Sequence, residues 1–225
     1  MAPISGWTAA VKRNIYTVNL ERGMADRPYH HGSLREAMLA AAERILERDG
    51  ISGLTLRGAA REAGASHAAP KNHFGDLSGL LSELAAIGFV RFRDAMLAEA
   101  AGSADPVARM RAAGRGYVRF ARANPGLFLL MFRSEKLDMQ RPALRKAADE
   151  AIAVLAGAAG GPAPAELTLD QAARMAAAWA GVHGLAMLLI DGRLGAVLQR
   201  LPVGVTEDAL LARLLGPETP GETPS

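Results

Sequence analysis

Residues 54–74, LTLRGAAREAGASHAAPKNHF, set two short capped helices around a glycine turn within a very short span. Thr55 is placed to cap the first helix, which runs through Ala63, and Gly64 to supply the left-handed residue that ends it. Ser66 then reads as the cap of a second helix continuing to about His73. This is helix-turn-helix spacing. A short second helix can offer its N-terminal half to base edges in a major groove about 12 Å wide, while the helix before it lies across the phosphates. Leu54, Leu56, Ala60 and Ala63 are expected to face a small core that Phe74 closes, leaving Arg57, Ser66, His67, Lys71, Asn72 and His73 outward.

On the N-terminal side, Ser33-Leu34-Arg35-Glu36 has the capping-box pattern, and Leu34, Met38, Ala41 and Ile45 follow at helical spacing. A helix is expected from there to about Asp49, stopping at Gly50. Residues 1–28 mix Gly, Pro and polar residues without a period and read as a flexible arm, in which Met24 is an alternative natural start. On the C-terminal side, a helix opening at Asp76 carries Leu80, Leu81, Leu84, Ile87 and Phe89 towards Glu99, long enough to connect two domains. Asp105-Pro106 opens the next helix, and Asn124-Pro125-Gly126 stops it before LFLLMF. Another is expected over Pro142 to Leu155, followed by a small-residue loop at 157–166. Thr168 with Gln171 repeats the capping-box pattern at the head of a long helix to about Ile190, and Thr206-Glu207-Asp208 starts the last one. The organisation read from this is an arm (1–28), a helix-turn-helix domain (29–90), a second helical domain (91–216) and a flexible tail (217–225).

Composition agrees with an all-α fold. Of 225 residues 50% are hydrophobic, mostly alanine and leucine, with only 5% aromatics. There is no cysteine, which excludes disulfides, thiolate metal sites and cysteine nucleophiles and fits a cytoplasmic setting. A net charge of +3 and a pI near 9.6 permit contact with an anionic polymer without establishing it. The longest apolar run, Met175 to Ile190, is broken by His183 and falls short of the roughly 18 residues of a membrane span, so no membrane partner is expected. No serine elbow, glycine-rich phosphate loop or metal-ligand spacing points to an enzyme or a cofactor. Tyr29, His30 and His31 are read as an arm touching DNA or a solvated turn in preference to metal ligands, because adjacent imidazoles point apart and no acidic residue or cysteine completes a set.

Leu54-Thr55-Leu56-Arg57, the turn Ala60-x-x-Ala63-Gly64-x-Ser66 and the ending His73-Phe74 resemble the TetR family of one-component bacterial regulators. YHHGSLREAMLAAAERILERDG looks like the first helix of a subgroup with a Tyr-His-His-Gly arm. NPGLFLLMF and the segment Trp179 to Gly184 are similar to the regulatory domain of the WHG type. The chain departs from the family at Lys71, where a tyrosine usually packs on a phosphate, and at Leu77, where a basic residue usually stands. Ala59 is smaller than the usual valine or isoleucine, leaving the small core looser by a methyl group or two, each worth roughly 1 kcal/mol.

The resemblance implies a homodimeric repressor on double-stranded DNA, with a near-palindromic operator and release by an unknown small-molecule effector. Its dimer bundle would use residues 168–190 and 207–214. The DNA-binding candidates are Tyr29, His30, Thr55, Arg57, Ser66, His67, Lys71, Asn72 and His73. Arg57, Lys71 and His73 are assigned chiefly to phosphates, and Ser66, His67 and Asn72 to bases. Phe128, Met131, Trp179, His183 and Met187 are candidates to line an effector cavity. Trp179 and His183 lie four apart on one helix face, which also suits a satisfied core histidine. Ala173, Ala177 and Gly181 form a small-residue stripe fit for a dimer interface or tight core packing. The row Arg111, Arg115, Arg119, Arg122 reads as an exposed amphipathic face, with an anionic effector site as its alternative. A constitutive or architectural DNA-binding protein without an effector is the competing function.

Overall fold

The computed structural model describes residues 31–66, 69–103, 105–158 and 167–216. Among them every regular element is helical: α1 (His31–Gly53), α2 (Leu56–Glu62), α3 (Ala69–Phe74), α4 (Leu77–Ala100), α5 (Pro106–Ala123), α6 (Pro125–Met131), α7 (Pro142–Ala158), α8 (Leu169–Ile190), α9 (Gly195–Leu198) and α10 (Glu207–Leu215), with a 3₁₀ turn at Ser134–Lys136. The expected arm, the tail, Tyr29, His30 and His67 lie outside the described residues, as does nearly all of the expected loop at 157–166.

Most helix starts follow the local signals. Thr55 Oγ1 accepts from the Gly58 amide at 3.0 Å, Asp76 Oδ1 from Gly79 at 2.8 Å, and Asp105 Oδ1 from Val107 and Ala108 at 2.9 Å. Thr168 and Gln171 form the reciprocal capping box. One expected cap is corrected: Ser33 already lies within α1. The two residues that follow Ser66, on which its expected cap depends, lie outside the described residues. Helical dihedrals in α1 break at Gly50 (φ 71°), the expected stop.

α4 organises the molecule. Its 24 residues extend about 36 Å at 1.5 Å per residue, enough to run through both ends of the fold. Its first turns bury Leu80, Leu81 and Leu84 beside Met38, Leu46 and Phe74, and its later turns bury Phe89, Phe92 and Met96 beside Tyr117, Phe120 and Phe128. Phe92 is the aromatic hub, with ring centroids 4.6 Å from Tyr117 and 5.3 Å from Phe120, both with inclined rings.

The arginine row on α5 lies on the expected exposed face at Arg111, Arg119 and Arg122, and turns inward only at Arg115. Arg115 is largely buried and donates through Nη1 to the Leu215 carbonyl at 3.1 Å, at the end of α10. Arg122 meets Glu207 at 3.1 Å and Asp208 at 3.4 Å, at the start of α10. Arg119 pairs with Glu99 of α4. The row thus grips both ends of α10 and the last turn of α4, and Arg111 stays exposed.

Candidate nucleic-acid interface

The turn between α2 and α3 is built from glycine and backbone. Gly64, at φ 67°, takes the left-handed conformation that L side chains rarely adopt. Its amide donates to the Arg61 carbonyl at 3.2 Å, and the Ala65 amide to Ala60 at 2.8 Å. This pair of bonds is a Schellman motif, which satisfies carbonyls left over at the end of α2 and aims the chain into α3.

Below the motif lies the small core expected from the sequence: Leu54, Ala59, Ala60 and Phe74 are buried, and Leu56 and Ala63 pack partly against them. Above it, Thr55, Arg57, Ser66, Lys71 and Asn72 are exposed. His73 is half-buried, its ring 6.2 Å from that of Phe74. Leu77, in the place of the usual basic residue, packs against the core. Arg57 and Lys71 meet no carboxylate among the described residues. Arg61 belongs beside Arg57 although the motif reading passed over it: it is exposed, four residues on along the same face of α2. That i,i+4 spacing was visible in the sequence.

The reader is tied to the rest of the chain at its back. Glu47, near the end of α1, accepts from the Gly126 amide at 3.1 Å and the Leu127 amide at 2.9 Å, capping α6 from a distance. Glu43 pairs with Arg91 of α4 at 2.5 Å. Arg35 pairs with Glu83 and lies over the Phe74 ring, 5.9 Å from its centroid.

In the other half, the five residues expected to line an effector cavity do come together. Phe128 and Met131 are fully buried, and Trp179 and Met187 pack against the same core. His183 Nδ1 lies 2.7 Å from the Tyr117 hydroxyl, which also accepts from Trp179 Nε1 at 3.4 Å. The phenol accepts from the indole, and its bond to Nδ1 runs in the direction that the imidazole tautomer sets. Burial pushes the His183 pKa down and the Tyr117 phenol up, in keeping with that arrangement. Tyr117, absent from the sequence reading, joins the two expected residues; no spacing rule relates α5 to α8.

The profile of the tetracyclin repressor-like C-terminal domain matches residues 110–214. No protein of curated function matches the chain. Among solved structures it is similar to a protein of unknown function from Rhodococcus sp. RHA1, with 32% identity and a TM-score of 0.66 over 84% of this chain and 95% of that one. It shares its fold with a TetR family transcription regulator from Marinobacter aquaeolei VT8 (18% identity, TM-score 0.55, 82% and 94% covered). It also shares it with the TetR family regulator PfmR from Thermus thermophilus (19%, 0.51, 80% and 94%). With a helix-turn-helix at one end and that C-terminal profile over the other, the chain belongs to the TetR family of transcriptional regulators.

Proposed function

We propose that the chain works as a homodimeric repressor whose two α3 helices enter successive major grooves of a near-palindromic operator about one helical turn apart. The observation that carries this reading is the outer face of the reader: Arg57, Arg61, Lys71 and Asn72 are exposed over a closed apolar core. Arg57, Arg61 and Lys71 serve the phosphates, while Ser66 and Asn72 serve base edges. His67, Tyr29 and His30 keep their proposed DNA roles from the sequence. Division into a reader (29–90) and a regulatory half (91–216) belongs to the same proposal, as does a cytoplasmic location, which follows from DNA as the partner.

Support for the dimer comes from α8. By length and composition this helix is apolar enough to cross a membrane, and only Ala186 of its 22 residues is buried within one chain. Leu169 is 85% exposed, and Ala173, Ala177, Ala180 and Gly181 are exposed as well. Small side chains let a second helix approach closely, and Asp170, Gln171 and Arg174 on the same helix suit water better than lipid. A second copy covering α8 and α10 satisfies both features.

Release operates as a population shift. An effector that binds better to a conformation with the wrong reader spacing lowers DNA affinity, by no more than its differential affinity for the two states. It would enter among Phe128, Met131, Trp179, His183 and Met187, and α4 would carry the change. The tight packing of Phe128 and Met131 favours a second reading, a constitutive regulator without an effector. A shallow groove on the outer side of α7, lined by Pro142, Arg145, Lys146 and Asp149, involves none of the five.

The test is retention of a duplex tiled across the chain's own promoter region, at physiological salt with excess competitor DNA. One tile retained by two chains supports the repressor. Retention by single chains overturns the dimer. The same complex then separates the two readings, since only the effector-controlled form is dissociated by a small molecule.

A further inference from the structure

The end of the recognition helix is gripped by a segment from the regulatory half. Ahead of α7, Leu137 is buried in the core, and the Asp138 amide donates to Ser82 Oγ at 2.8 Å. Ser82, fully buried in α4, donates in turn to the Ser78 carbonyl at 2.7 Å. From this anchored loop Arg141 reaches back. Its Nη2 donates to the Phe74 carbonyl at 3.1 Å, its Nη1 lies 3.6 Å from Glu83, and its Nε lies 3.5 Å from Asp138.

Phe74 is the last residue of α3, and carbonyls at a helix end lack intrahelical partners and favour a cation. Gly79 makes room for the contact: a Cβ there would overlap the Phe74 carbonyl oxygen and stand 2.5 Å from Arg141 Nη2. Glu83 completes the knot, because Arg35 of α1 pairs with the same carboxylate. Four segments, α1, α3, α4 and the loop before α7, therefore meet around one guanidinium.

We propose that Arg141 is a positioning residue for DNA reading, locking the C-terminal end of α3 to the regulatory half. A shift of α7 against α4 then reaches the recognition helix directly, besides whatever α4 transmits. This rests on the DNA-reading function proposed above. A lysine cannot replace the arginine fully, since a single ammonium can bond the carbonyl but lacks the planar fork that at the same time lies within ion-pair distance of both carboxylates.

The experiment compares the full chain with Arg141→Met and Arg141→Lys on a duplex that the wild type selects from a randomised pool, together with amide hydrogen exchange. Arg141→Met is expected to bind about tenfold more weakly, in line with loss of a hydrogen bond from a charged group. Its salt dependence should be unchanged, because Arg141 touches no phosphate. Exchange at residues 71–75 should quicken about tenfold while that in α5 and α8 stays at the wild-type rate. Arg141→Lys, which keeps the carbonyl bond, should recover to within about threefold of wild type and guards against a methionine variant that fails to fold. Wild-type affinity and exchange in Arg141→Met would overturn the latch, as would a salt slope lowered by one, which would make Arg141 a phosphate contact. A wild-type chain that selects no duplex would instead overturn the DNA-reading function itself, and the exchange comparison would still show whether Arg141 holds α3.

Discussion

α1 and α8 are nearly the same length and both draw much of their apolar surface from alanine and leucine, yet they are used in opposite ways. α1, with 23 residues, buries Met38, Leu39, Ala41, Ala42, Ile45 and Leu46 within the chain. α8, with 22, buries Ala186 alone and turns Leu169, Ala173, Ala177 and Leu188 outward. Apolar content gives a helix something to cover without saying what covers it. In α1 the cover is α2, α4 and α6; in α8 it is the second copy proposed above.

The comparison breaks most sharply with one substitution made in both helices. Ala42→Glu places an unpaired charge in the core, and no folded protein should be recovered. Ala177→Glu leaves the isolated chain folded, with a wild-type circular dichroism spectrum, but should weaken dimerisation by at least about 3 kcal/mol, which sedimentation reads as monomer. A dimer that survives Ala177→Glu would mean that α8 does not meet a second copy.

Next in size is the hub between the two halves. Phe92→Ala removes a buried ring that touches α5 and α6 and should cost about 3–5 kcal/mol in denaturant unfolding. A loss below 1 kcal/mol would show that the aromatic cluster repacks freely. Lys71→Ala, on the exposed side of the reader, should leave stability unchanged while weakening all duplexes about equally and lowering the salt slope by roughly one. An unchanged slope would remove Lys71 from the phosphate contacts.

The smallest effect belongs to His183. Burial holds its pKa below the ordinary 6.5, so the unfolded chain takes up this proton first as pH falls. Stability tied to neutral His183 is whole above about pH 6.5 and is lost as pH drops through 6.5 towards the folded value. His183→Gln should flatten that part of the pH–stability curve, and a slope identical to wild type would place its origin elsewhere.

The reader was legible in the sequence because its rules are local. Thr55, Gly64, Asp76 and the spacing of Leu54, Ala60 and Phe74 act within a few residues of one another, and each sits as the spacing requires. Ser33 misled because a serine ahead of an apolar run competes with other starts, and α1 already contains it. The arginine row of α5 was legible as a helical face, but its partners Glu99, Glu207 and Leu215 come from distant elements that no periodicity connects. Arg141 was invisible for the same reason, since its partner is a backbone carbonyl 67 residues away. The expected effector residues were recognised by type and do cluster, whereas Tyr117, which bonds two of their number, was not.

The most direct measurement is selection by the full-length chain from a pool of randomised duplexes at physiological salt, with the stoichiometry of the selected complex. The account predicts one enriched near-palindrome, its half-sites about one helical turn apart and bound by two chains. No enrichment over the starting pool, or an enriched single half-site bound by one chain, would contradict it.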